Sequence, residues 1–283
     1  MFPPGRFGLS GNVALSHGMR ELMYALPTIV IVAILFATMA AIVEIGYRCG
    51  RKYESAVSEA TRGHVSSIQG AMLGILGLLL GFTFSLSLQR YDNRSVAVVK
   101  ESNAIGTAYL RTELLPDDIR DSARANIQNY LDLRIEESTV DLSHGDVRKE
   151  LTKDIADAFE ATWKQATDAA KANPNPVLTG LYVQSLNDVA DSFGERDAAL
   201  GRHVPELVLI LLYMTFLMTG LVVGFSAGLS GTRASIAIYV LTLLIVLLVF
   251  IVVDLDRPRR GIIEVDQQPM LDLQRWMHTN PLD

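Results

Sequence analysis

Hydrophobic positions in this chain gather into four long blocks, and polar positions gather mainly between the second and third. The blocks are residues 22–47 (LMYALPTIVIVAILFATMAAIVEIGY), 68–88, 205–229 and 236–253. A helix needs about 20 mostly apolar residues to cross the hydrocarbon of a bilayer, and each block comes close to that length or exceeds it. The pattern therefore predicts an all-α integral membrane protein with four transmembrane helices and a long helical insert between the second and third. An N-terminal tail (1–21) precedes the first span, the insert covers 89–203, and a C-terminal tail (254–283) follows the fourth span. Residues 22–47 read as a retained span, because the apolar run is too long for a signal peptide and no small-x-small cleavage site follows it.

The insert carries a helical period. After Pro116, the residues Ile119, Ala123, Ile127, Tyr130 and Leu131 recur on one face, with Asp117 and Asp118 in the first turn. A second helix is predicted over 146–172, with Leu151, Ile155, Ala158, Phe159, Thr162 and Ala166 on one side, ended by Asn-Pro-Asn-Pro at 173–176. A third carries Leu178, Leu181, Leu186, Val189 and Phe193 toward Pro205. "FTFSLSL" at 82–88 alternates like a strand, but an open strand leaves its backbone groups unpaired in lipid.

Between Ile68 and Leu115 there is no proline, so the second span predicts one helix that leaves the membrane and continues to about residue 115. Spacings of four and three from Gly70 give Gly74, Gly77, Gly81, Phe84, Leu88, Tyr91, Ser95, Val98, Ser102, Ile105, Tyr109 and Thr112. None is charged, although Arg90, Asp92, Arg94, Lys100, Glu101 and Arg111 lie among them, and each of the other heptad registers admits a charge. Such a stripe keeps facing one partner, and its glycines would let backbones approach closely. Two readings stay open. The stripe packs on the chain's own helices, or copies converge around an axis. In the second case Phe84 and Leu88 form an apolar constriction, with Arg90 and Arg94 attracting anions at its mouth.

Charge adds boundary candidates and excludes other classes. Glu44 near the end of the first span has Arg48 four residues on, the favourable order for an ion pair. "DLDRPRRG" closes the fourth span with Asp254, Asp256, Arg257, Arg259 and Arg260, which could anchor to head groups, pair internally or bind an anion. The apolar residues that follow in the tail predict packing on the insert or at the interface. The net charge is −6 and the insert is mildly acidic, which argues against a nucleic-acid face. The 5 histidines are scattered, Cys49 is the only cysteine, and neither a phosphate-cradling glycine loop nor a nucleophile elbow occurs. Neither an enzyme, a metal site nor a cofactor is expected. Basic residues vote both ways on orientation, since those around the first span and those around the fourth cannot both lie inside.

The run "LLGFTFSLSLQRYDNRSVAVVKESNAIGTAYLRTELLP" (79–116) carries Arg90, Tyr91, Asp92, Glu101, Asn103, Ala104, Ile105, Gly106, Tyr109, Leu110, Arg111 and Pro116. With "DLDRPRRGIIEVDQQPMLDL" (254–273), it resembles the bacterial membrane-protein family named for a bestrophin-like domain. A weaker resemblance links the chain to bestrophin channels, through the span count, the place of the insert, and a Tyr-Asp followed by Arg just beyond span two. That resemblance implies a pentamer conducting small anions, a second span lining an apolar neck, and residence in the bacterial cytoplasmic membrane with both termini and the insert in the cytosol. The expectation is an oligomeric, anion-permeable channel with span two around the path. The alternative is a non-conducting membrane scaffold or sensor whose insert binds a partner protein.

Overall fold

The computed structural model describes residues 28–140, 145–172, 177–231, 236–257 and 262–279. The expected N-terminal tail, the first residues of span one, the Asn-Pro-Asn-Pro break, Arg259 and Arg260 lie outside the described residues. Within them the chain forms α1 (Thr28–Tyr53), α2 (Glu59–Leu110), α3 (Asp117–Thr139), α4 (Gly145–Ala172), α5 (Leu178–Gly201), α6 (Glu206–Leu229), α7 (Ile236–Asp256) and α8 (Gln268–Thr279), and no strand. Among the described residues four stretches are long and apolar enough to cross a membrane, and their apolar parts correspond to α1, the first half of α2, α6 and α7. The protein is all-α with four spans, as the hydropathy pattern predicts.

Helix α2 has 52 residues and would measure about 78 Å at 1.5 Å per residue. It starts nine residues before the apolar block, at Glu59, because Ser58 is a working N-cap: extended in backbone, its hydroxyl accepts from the Thr61 amide at 3.3 Å. At its far end it tightens into a 3-10 turn, Arg111–Leu114. There Pro116 forces Leu115 into the extended region (φ −87, ψ 154), and the chain turns back into α3.

Two hydrophobic cores stack along α2. In the span region Leu35 and Met39 of α1, Leu76 and Leu80 of α2, Phe216 of α6 and Val249 of α7 pack together. In the insert Ile105 and Tyr109 of α2 pack with Leu131 of α3, Ile155 of α4, Leu186 of α5 and Met270 of α8. Among the described helices α2 alone contributes to both. The C-terminal tail lies along the insert. The Ser102 hydroxyl donates to the Pro269 carbonyl at 2.8 Å, and Trp276 meets Tyr109 edge-on at 5.8 Å between centroids.

The spans are bound most closely where α1 meets α6. Gly46 and Gly50 of α1 face Gly220, Gly224 and Gly228 of α6, each set at four-residue spacing. A Cβ on Gly50 would stand 2.2 Å from the Phe225 carbonyl oxygen, and one on Gly224 would stand 2.1 Å from that of Val43. At Gly46, Gly50, Gly224 and Gly228 backbone meets backbone, the geometry in which Cα–H···O contacts and dispersion take the place of side-chain packing, while Gly220 makes room for the side chains of Met39 and Ile42.

One buried residue in the insert works against its surroundings. Tyr182 is fully buried, and its hydroxyl finds no hydrogen-bond partner among the described residues. Burial raises its phenol above the ordinary value of 10.0; burial, then the nearby Glu101 carboxylate, does the same for Tyr130. A raised acid keeps its proton longer when folded than unfolded. Its contribution is intact below pH 10 and is lost as pH rises beyond it. Tyr182→Phe is expected to leave the Tm unchanged or raise it, since an unpaired buried hydroxyl costs about 1–3 kcal/mol. It should also soften the fall in Tm above pH 10 (thermal unfolding in detergent at pH 8 and 11).

Candidate functional site

In the membrane half of α2 the stripe Leu76, Leu80, Thr83 and Ser87 is buried against the chain's own spans. The uncharged face found in the sequence lies elsewhere on the helix and is open. Among the described residues a Cβ on Gly70, Gly74, Gly77 or Gly81 would meet nothing outside its own helix within 4 Å, and Phe84 and Leu88 are 38% and 40% exposed. Beyond the membrane the same stripe turns inward. Tyr91 is half-buried, its hydroxyl at 3.5 Å from the Glu264 carbonyl, and Val98, Ser102, Ile105, Tyr109 and Thr112 are buried in the insert. The face therefore divides near Tyr91: among the described residues it is unoccupied on the membrane side and packed on the chain's own helices on the aqueous side.

Arg90 and Arg94 part company at this level. Arg90 remains half-exposed. Arg94 is 2% exposed, and its guanidinium donates to the carbonyls of Ala199 (3.3 Å), Arg202 (3.0 Å), Leu255 (3.0 Å) and Asp256 (3.4 Å). These carbonyls belong to the C-terminal ends of α5 and α7, which carry partial negative charge and lack intrahelical partners. The expectation that Arg94 attracts anions at a mouth is corrected on this ground: its donors face inward and tie three helices together.

The acidic end of span four serves the same junction. Asp256 accepts the Val204 amide at 2.8 Å, securing the α5–α6 corner, and its carbonyl lies 3.1 Å from Nδ1 of His203. Asp254 accepts the amides of Ile262 (2.9 Å) and Ile263 (3.0 Å), closing the turn after α7. Arg257 is buried with them. On span one, Arg48 Nε donates to Glu44 at 2.7 Å in an exposed pair.

About two turns beyond Arg94 lies a charge cluster that sequence reasoning did not single out as a site. Glu101 is 0% exposed. It receives Nε and Nη2 of Arg134 at 2.6 and 3.1 Å, and Nη1 of Arg196 at 2.6 Å. Arg134 also donates to Glu137 and lies over the Phe193 ring, 4.6 Å from its centroid. Arg196 reaches Gln267 of the tail at 2.8 Å. Burial alone would lower the pKa of Arg134; Glu101, with smaller contributions from Tyr130 and Glu137, more than offsets this and holds the guanidinium charged. The cluster joins α2, α3, α5 and the tail through charge-assisted bonds. A cavity of about 380 Å³ separates it from the Arg94 collar, with Arg94 and Arg196 on its walls and Glu264 and Leu271 contributed by the tail. The signal available in sequence was Glu101's place beside the seam, one residue from Ser102.

A family model described as Bestrophin-like domain matches residues 33–270. No curated protein matches the chain. Among solved structures, a mutant bacterial bestrophin homolog from Klebsiella pneumoniae is 15% identical, covers 86% of this chain and 99% of its own, and gives a TM-score of 0.61. A second mutant of that homolog is 17% identical over 90% of this chain and 99% of its own, with a TM-score of 0.58. At these identities the likeness is one of fold.

Proposed function

Because the chain belongs to the bestrophin-like domain family, we propose that it is a homo-oligomeric, anion-permeable channel with α2 of each copy around the conduction path. The observation that carries this is the open face of α2. A glycine-lined, uncharged helix face in the membrane has no partner among the described residues of the chain, while the stripe Leu76, Leu80, Thr83 and Ser87 of the same helix is buried. Copies placed around an axis would bring Phe84 and Leu88 together as an apolar constriction and set Arg90 near its mouth, a combination that gates by dewetting and attracts anions. A pentamer in the bacterial cytoplasmic membrane, with the termini and insert cytosolic, is the arrangement the family resemblance favours. The boundary groups Asp254, Asp256 and Arg94 would then brace the helix from outside the path.

Purified protein in planar bilayers tests the reading: conductance in several anions is expected, and none above empty membrane would reject it. Phe84→Ala is expected to raise conductance severalfold, since a wider neck wets more readily. Mass measurement in nanodiscs separates the rival. A closed ring supports the channel. A strict monomer leaves no shared axis and favours a scaffold or sensor whose insert binds a partner.

A further inference from the structure

The turn after α7 presents two isoleucines to the outside: Ile262 is 75% exposed and Ile263 39%. Neither is left there by slack backbone, because both amides are held by the buried carboxylate of Asp254. That carboxylate sits in the last turn of span four, so the chain leaves the helix and returns to the level of its end. Two independent features place this level at the edge of the bilayer. Helix α7 has 21 residues, about 31 Å at 1.5 Å per residue, close to the roughly 30 Å hydrocarbon thickness. On the neighbouring helix, Arg94 meets the carbonyls of Leu255 and Asp256, and about two turns toward the membrane α2 exposes Leu86 and Leu88. Deeper in the membrane α7 exposes Leu243, Leu244 and Leu247, whereas its last two turns are covered, so the isoleucines are the exposed apolar side chains at the level where the helix ends.

We infer that the Ile262–Ile263 turn is a bilayer contact, a wedge that lies in the boundary between head groups and acyl chains and is aimed there by Asp254. Apolar side chains at that depth lose water contact without needing a protein partner, as interfacial helices do. The turn then fixes how deeply α7 sits, and through Arg94 how deeply α2 sits.

Cys49 is the only cysteine and is exposed, so replacing it permits a single label. In a Cys49→Ser background, Ile262→Cys carries a nitroxide, and Gln268→Cys, exposed at the start of α8, carries the aqueous control. The full-length protein is reconstituted in phosphatidylcholine–phosphatidylglycerol vesicles, and collision rates with oxygen and with a neutral nickel chelate are read by power saturation. The Ile262 label is expected to show higher oxygen access and loss of nickel access relative to the control. Nickel access equal to the control would overturn the proposal by placing the turn in water. Immobilisation with neither reagent admitted would overturn it as well, by placing a second copy or another protein on the turn.

Discussion

Glu101→Ala is expected to cost about 3–5 kcal/mol of stability, because it leaves two buried guanidinium groups without their shared carboxylate. A loss of that size is a large part of a typical folding free energy, so low yield or a sharply reduced Tm in detergent is the expected readout. Glu101→Gln keeps an acceptor but not the charge and should fall between the two. The contrast is with the adjacent residue. Lys100 pairs with Glu195 at 2.9 Å, but both side chains are more than half exposed. Lys100→Ala should therefore cost no more than about 1 kcal/mol. Equal losses at positions 100 and 101 would mean that the Glu101 cluster does not hold the insert together.

Gly224→Leu is expected to be as damaging by a different route. Its Cβ alone would fall 2.1 Å from the Val43 carbonyl oxygen, and backbone cannot rotate aside as a side chain can. α1 and α6 would have to separate, which exceeds the 1–3 kcal/mol typical of overpacking. Folded protein should be lost, as read by monodispersity on size exclusion. Gly74→Ala supplies the opposite case: among the described residues nothing outside its own helix lies within 4 Å of the new methyl. Helix propensity then favours alanine by about 1 kcal/mol. A preserved fold with altered conductance or stoichiometry would locate the effect between copies rather than within one.

These pairs also mark what could be read from the sequence. The spans, the unbroken second helix and its uncharged face follow from hydropathy and spacing, which are local properties. Arg94 does not. Beside Arg90 it looks like a second mouth charge, and only the folded chain brings Ala199 and Leu255 to it from 105 and 161 residues away. For Glu101 the only local sign is its place beside the seam, next to Ser102; its partners Arg134 and Arg196 come from other helices and cannot be read from spacing. The glycines mislead in an instructive way. Gly70, Gly74, Gly77 and Gly81 draw attention by number, yet the close helix contact within the chain is between Gly46/Gly50 and Gly220/Gly224/Gly228. Their four-residue spacing was equally visible, but spacing alone cannot say which small-residue stripes face each other.

The continuity of α2 has a mechanical consequence. With no break between membrane and insert and a collar at Arg94, the helix is a lever with a fulcrum. Its arms, from Arg94 to Gly70 and from Arg94 to Leu110, are about 36 Å and 24 Å at 1.5 Å per residue. A sideways shift of about 1 Å at the insert end becomes about 1.5 Å, in the opposite sense, at the glycine end. The close-packed core around Ile105 and Tyr109 resists even small displacements. A ligand or partner that repacks that core would therefore move the open face of α2 without touching the membrane.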